Sequence, residues 1–508
     1  MIGWNHQEVC PLKWSQPALQ RNWRRGAAWN LVCLGACVAI TGLARGAEPV
    51  LQLATIHADL SPKPGDAACV GFMPKISTVE HPLELKGILI RNSAGSTTET
   101  YVVAALDYNG LCNTSDDLFR QRIAGAVGTT PDRVALQSLH QHSAPVLDVD
   151  GAKMLHANAP QLWQAHAKFA EQMAERAAQG AKEAVAKLQP VTRIITSQAK
   201  AERVASNRRI VQSDGTIVFR GSGTKDPKMH EAPEGLIDPW VRTLSFLNGE
   251  KILVQIHYYA MHPMSFYGDE RISYDVPGIA RQRLQDETGV YQIYFTGCGG
   301  NIAMGKYNNA TREAREALSE RLYQALKASV SVVDAKSTSS VKPQSADMPH
   351  VAHDVRVDEL SALEIAWDVV PVKFIPRVDG EFHPDRAPDL MRPEQSFSTR
   401  LKAAMATAWF DRLRAGHQVG ISRLRIGSVQ MVHLPGEPFV EFQLFAQQQA
   451  KESFVCVAGY GECGIWYFGP DVIFSDRGGY EQTWSFAEPC FDLVENAIST
   501  LLSRETKK

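Results

Sequence analysis

The chain has 508 residues, 44% of them hydrophobic and 21% charged, with a formal net charge of −2. That length exceeds one simple core and suggests either two to four domains or one large embellished domain. The ordinary globular composition, with no basic stripe, argues against a nucleic-acid partner.

Residues 1–47 read as an export signal. They carry Lys13, Arg21, Arg24, Arg25 and Arg45 against Glu8, a local charge of +4, which leaves −2 − 4 = −6 for the rest. "RNWRR" (21–25) is a positive n-region, "AAWNLVCLGACVAITGL" (27–43) is apolar, and "ARG" (44–46) offers a small-x-small cleavage site. Two alternatives stay open. "LGAC", ending at Cys37, resembles a bacterial lipobox, and the uncleaved stretch is near the lower length limit for a spanning helix. The expected location is periplasmic or extracellular, either free or held by a lipid or membrane anchor. Six cysteines follow Ala47: Cys69, Cys112, Cys298, Cys456, Cys463 and Cys490. Export permits disulfides among them, the sequence cannot choose the pairing, and the lack of a CxxC pair argues against a cysteine zinc finger.

From residue 48 to 508 one large domain is expected. Residues 50–110 supply strands in "VLQLATIHADLS", "LELKGILI" and "TYVVAALD". A helix follows over 115–128, with Ser115 as its expected N-cap. "DRVALQSL" is the next strand and delivers His140, and 160–188 reads as a long Ala-rich amphipathic helix. The rhythm returns with a strand at 251–262, a helix at 276–289, the buried strand "VYQIYF" at 290–295 and a helix at 311–328. Residues 334–349 have the composition of a flexible linker. A helix at 396–413, strands near 419–433, a helix at 437–453, the strand "FVCVAGY" and a closing helix near 491–503 complete the chain. Strands alternating with helices make this an α/β protein with mixed sheets. No repeat is visible in the sequence.

Several short motifs stand at the ends of these strands. "SLHQHSAP" (138–145) holds His140 and His142, which an extended strand would point to one side. "YYAMHPMSF" puts His262 just before Pro263, which ends the strand in extended geometry, whereas His257, inside the strand, reads as structural. "HLPGEPF" (433–439) turns on Pro435–Gly436 and presents Glu437, either as a metal ligand or as a helix-dipole partner. "AGYGECGIWYFGP" (458–470) reads as a glycine-rich turn with packing aromatics. "GCGGN" (297–301) lacks the Lys of a phosphate-binding loop and reads as a close approach of backbone to a site. Asp107 and Asp275 are candidate partners for ligating histidines.

In this order the motifs resemble the neutral/alkaline non-lysosomal ceramidase family over residues 52–500. "SLHQHSAP" is similar to the family's S-H-T-H-S-G-P, "AMHPMSF" to its H-x-T-S segment and "LPGEPF" to its P-G-E segment. "YFGP…GGYE" is similar to its Y-[IV]-T…Y-E segment and "ASNRRI" (205–210) to an N-R segment. The resemblance implies a single αβ catalytic domain around a central zinc ion, held by His140, His262, Glu437 and Tyr467. It implies catalytic roles for His142, Arg208 and Tyr480. Three departures matter. Ala303 in "GNIAMGK" occupies the place of a serine once assigned as nucleophile, Gln141 replaces Thr, and Ala144 replaces Gly. The family's C-terminal immunoglobulin-like domain is expected to be lacking.

The implied activity is an exported zinc amidase in which zinc-activated water attacks an N-acyl linkage. His142 is the expected base or water-orienting group, and Arg208 and Tyr480 the oxyanion donors. The alternatives are an ester or non-lipid substrate on the same fold, and a non-catalytic ligand-binding surface protein. The expected partner is a small-molecule or lipid N-acyl substrate, with room for contact at a membrane surface. Nothing in the sequence fixes the oligomeric state.

Overall fold

Three sheets built on one plan organise the chain. The computed structural model describes residues 50–67, 76–94, 97–266, 270–331, 352–360 and 365–504. The export segment 1–47, the linker 334–349 and Cys69 lie outside the described residues.

The first sheet contains β1 (Val50–Asp59), β2 (Glu84–Ala94), β3 (Thr97–Leu106), β4 (Val134–Ser138) and β5 (Gln189–Pro190), in the order β4-β3-β2-β1-β5. The second contains β6 (Arg193–Lys200), β7 (Trp240–Asn248), β8 (Lys251–Tyr259), β9 (Gln292–Thr296) and β10 (His353–Glu359), in the order β9-β8-β7-β6-β10. The third runs β11-β12-β13-β14, from Ile365–Val372, Val419–Ile426, Val429–His433 and Phe454–Ala458.

Each sheet is antiparallel except for its last pair: β3 with β4, β8 with β9, and β13 with β14 are parallel. A parallel neighbour needs a crossover connection, and a helix provides each one. These are α1 (Thr114–Val127), α2 (Asp275–Thr288) and α3 (Val440–Gln449). The crossover strands β4, β9 and β14 are buried along their whole length although each is a sheet edge. Burial is possible because the three edges meet at their carboxyl ends. Ser138 N–H donates to Tyr460 O at 2.9 Å, Gly459 N–H to Thr296 O at 3.0 Å, and Thr296 Oγ1 to Leu139 O at 2.8 Å. One apolar core spans the junction, joining Ile88 and Val103, Ile256 and Phe295, and Met431 and Cys456.

The remaining long helices match expectation closely: Pro160–Val185, Arg312–Val330, Phe397–Arg414 and Phe491–Ser503. Two boundaries are corrected. Asn113, not Ser115, precedes α1, and the Ser115 hydroxyl accepts from Val149 N–H instead. The segment 437–453 does not begin as a helix. Glu437–Pro438 is extended and pairs with Tyr467–Phe468, so the helix starts only at Val440. The five described cysteines are buried free thiols. Among the described residues no helix is long and apolar enough to cross a membrane.

Candidate metal centre

The carboxyl ends of the three parallel pairs converge, and the motif residues leave the sheets there. His140 follows β4 but is not part of it. Its φ is 62°, and its N–H donates to Tyr108 O at 2.9 Å, so strand alternation does not relate it to His142. The residue between them, Gln141, is a buried pin. Its Nε2 donates to Asp107 O at 2.7 Å and its Oε1 accepts from Ser143 N–H at 2.9 Å. His140 Nδ1 lies 2.7 Å from Asn109 O, which fixes the proton on Nδ1 and turns Nε2 inward.

His262 leaves β8 in extended form, with its N–H bonded to Ile302 O at 2.8 Å and a parallel bridge to Ala303. Its Nε2 meets His142 Nε2 at 2.7 Å, and its Nδ1 lies 3.5 Å from Glu437 Oε2. Glu437 Oε2 is in turn 3.0 Å from His140 Nε2. The Glu437 backbone is anchored by N–H donation to Trp466 O at 2.9 Å. The turn before it needs glycine: Gly436 has φ 50°, and a Cβ there would overlap Ile465 Cγ2 and the Trp466 carbonyl. The "GCGGN" backbone does approach the site closely. A Cβ on Gly300 would overlap the Glu437 carbonyl, and one on Gly299 would stand 2.8 Å from the Tyr460 hydroxyl.

Desolvation holds His142 and His262 well below the usual histidine value, and Arg208 and the neighbouring imidazoles push the same way. Both rings are therefore neutral at neutral pH, the form that binds metals. His140 Nε2, His262 Nδ1 and both Glu437 oxygens are buried without a hydrogen-bond partner. Such atoms are costly to bury unless something else meets them. His140, His142 and His262 also form a close group able to hold a metal ion. The donor set fits a metal.

Tyr467 pairs with Glu437 across the short parallel ladder, and its hydroxyl accepts from Arg208 at 3.0 Å. Burial pushes the Tyr467 phenol well up, while Arg208 pulls it down. Arg208 also donates to Gly300 O at 3.4 Å and faces the rings of Phe219, Tyr467 and Tyr480. Tyr480 stands edge-on to Tyr467, with ring centroids 6.0 Å apart. A cavity of ≈ 600 Å³ opens above, lined by His142, Arg208, Glu437, Tyr467 and Tyr480 on one side. Phe219, Met264, Phe266, Phe397, Trp466 and Trp484 form much of the rest.

No protein-family model matches the chain, and no curated protein matches it. Solved structures do, and two of them are ceramidases. A ceramidase complexed with C2 superposes with a TM-score of 0.60 at 13% identity, over 89% of this chain and 74% of that one. Neutral ceramidase from Pseudomonas aeruginosa gives 0.60 at 16% identity, over 90% and 75%. The chain has the neutral ceramidase fold.

Within that fold, all seven motif residues gather around one cavity and its floor. Ala303 is buried and itself carries no hydroxyl, and its backbone pairs with Ser206 and His262. Asp107 and Asp275 do not touch the histidines. Asp107 forms a buried bidentate pair with Arg281 at 2.8 and 2.9 Å. Asp275 binds the Ser265 N–H and hydroxyl, which holds one wall of the cavity. His257 is structural, held by Thr243 and Gln292. Tyr460 was missed by the motif reading. Its ring stacks on His140 at 4.4 Å and 18°. Its positive φ of 62° within "AGYG" is compatible with a glycine-rich turn, so no separate sequence signal marks it.

Proposed function

We propose that the chain is an exported zinc-dependent amide hydrolase of neutral ceramidase type, cleaving the N-acyl linkage of a lipid or small-molecule substrate. One observation carries this reading: buried, unpartnered ligand atoms of His140, His262 and Glu437 meet beside a cavity that Glu437 and His142 line. Two imidazoles, a carboxylate and a phenol suit zinc, with His140, His262, Glu437 and Tyr467 as its holders. When bound, zinc polarises a carbonyl and brings the ionisation of a nearby water towards neutral pH.

The remaining work falls to the chain's own groups. His142 is kept neutral and lines the cavity, so at neutral pH it is the group placed to orient the attacking water or take a proton from it and pass that proton to the amine leaving group. Arg208 is anchored by Tyr467 and Gly300, and its Nε is buried without a partner. With the Tyr480 hydroxyl it donates to the developing oxyanion, worth about 3 kcal/mol per donor. Ala303 offers no nucleophile, so attack comes from water rather than through an acyl-serine. The aromatic walls suit an acyl chain, and Phe397, 44% exposed at the cavity, suits substrate presented by a lipid surface. The leader in residues 1–47 would deliver the enzyme outside the cytoplasm.

The test is a panel of N-acyl amides of graded chain length, assayed for acid release beside the matching esters. Amide cleavage that rises with chain length supports the reading. Turnover of esters alone, or an acyl-enzyme trapped on serine, contradicts it.

A further inference from the structure

A second cavity, of ≈ 260 Å³, is walled by segments that precede or follow the metal centre but contains none of its residues. Gln137 lies on β4 ahead of His140, His433 and Leu434 precede Glu437, and Gly461 and Glu462 follow Tyr460.

Three polar atoms on this wall are buried without a hydrogen-bond partner or counter-ion, Asp116 Oδ1, Gln137 Oε1 and His433 Nε2, and a fourth, Glu462 Oε1, has no hydrogen bond and only Arg412 Nη2 near it, at 3.5 Å. The residues themselves are 2–5% exposed. Three of the four residues are already held at their other end. Asp116 Oδ2 takes Arg120 Nε at 2.6 Å, His433 Nδ1 meets Ser422 Oγ at 3.1 Å, and Glu462 Oε2 meets His417 Nε2 at 2.9 Å. In Asp116 and Glu462 the second oxygen is therefore not searching for a rotamer; it is an acceptor on a residue that lines the cavity, and His433 Nε2 accepts or donates according to its tautomer. Three of the four atoms are oxygens that can only accept. Burial lowers His433 to about 3, so its ring is neutral and does not repel a cation. Four carboxylates line the cavity, Asp116, Asp117, Asp132 and Glu462, against two guanidiniums, Arg120 in the wall and Arg412, which pairs with Asp117 at 2.8 Å and Glu462 at 3.5 Å, so the carboxylates remain in excess. A ligand that satisfies this wall must donate hydrogen bonds and carry positive charge.

A bare metal ion is the poorer match. Among the described residues, only His140, His142 and His262 bring three His, Cys, Asp or Glu ligand atoms close enough to share one ion. The volume also equals about nine waters, far more than one ion occupies. We propose that this cavity binds a small organic ammonium ion, its N–H groups shared among Glu462, Asp116 and Gln137.

The experiment is calorimetric titration of the full chain at pH 7.5 with ethanolammonium chloride, and with sodium acetate and calcium chloride as comparisons. We expect one saturable site for ethanolammonium, none for acetate, and affinity lowered about 10-fold or more by Glu462→Gln, because a charge-assisted hydrogen bond is lost. Gln137→Met removes an orphaned acceptor without disturbing the ion pairs, and it must weaken binding too, which covers a failure of the Glu462 variant to fold. His142→Ala, in the other cavity, should leave this binding unchanged. Acetate binding as well as ethanolammonium, calcium binding more tightly and being lost in the same variants, no saturable binding at all, or unchanged binding in folded Gln137→Met would each overturn the proposal. None of these readouts depends on hydrolytic activity.

Discussion

Tyr480 is the residue whose role is most sharply divided between chemistry and packing. Its ring packs on Phe219 with centroids 5.0 Å apart and lies beside Arg208, so removing the whole side chain would disturb structure as well as any catalysis. Tyr480→Phe keeps the ring and removes only the hydroxyl. If that hydroxyl donates in the transition state, kcat and kcat/KM fall together by about 10²-fold with little change in KM. Metal content and melting temperature stay at the wild-type level. Steady-state kinetics on one amide substrate, with a melting curve, would remove Tyr480 from the mechanism if the Phe variant turned over normally. The motif residues were legible because each is carried by a short local pattern. Tyr460 and Asn109 were not, since they act on His140 through contacts between distant parts of the chain. The i, i+2 argument for His140 and His142 failed for a local reason: His140 sits in the left-handed region after the strand has ended.

At the scale of elements, the turn from β13 to α3 carries Glu437 and depends on one residue without a side chain. Gly436→Ala forces a left-handed Cβ into Ile465 and the Trp466 carbonyl. Backbone strain of this kind is worth about 1–3 kcal/mol, before the clash is counted. Chemical denaturation should show a loss in that range or larger, together with reduced metal occupancy, because the turn fixes the Glu437 backbone against Trp466. A fully stable Gly436→Ala variant with normal metal content would show that the turn relaxes without moving Glu437. Strands and helices were mostly placed by periodicity alone. The exception, 437–453, was misread because the ladder between Glu437 and Tyr467 is a long-range pairing that no local propensity reports. The shared plan of the three sheets was hidden for the same reason. Parallel pairing and the meeting of β4, β9 and β14 follow from tertiary contacts, not from repeated residues.

For the whole molecule, buried titratable groups set the response to acid. Burial lowers His166 and His257 to about 4 and His433 to about 3. Below about pH 6.5 the unfolded chain protonates these rings while the folded chain does not, so stability is lost as pH falls from 6.5 towards 4. Glu84, lowered to about 2 with help from His57 and Arg281 although burial opposes it, adds a loss below about pH 4.5. Asp116 and Asp148, raised to about 6 by burial, act the other way and gain stability between pH 6 and 4. With His81, His142, His156 and His262 also lowered and Asp107, Glu441 and Glu495 also raised, seven depressed histidines face five raised carboxyls, so the melting temperature should fall from pH 7 to 4.5. A melting temperature that is flat or rising over that window would show that these rings are hydrated in solution.

The most direct test of the central claim is acyl release from an N-acyl amide by protein stripped with a chelator and then titrated with zinc. The account predicts no turnover in the stripped protein and recovery that saturates at about one zinc per chain. It also predicts no recovery in His262→Ala, which loses one ligand of the set. Full turnover in the stripped protein, or recovery of His262→Ala at the same stoichiometry, would contradict it.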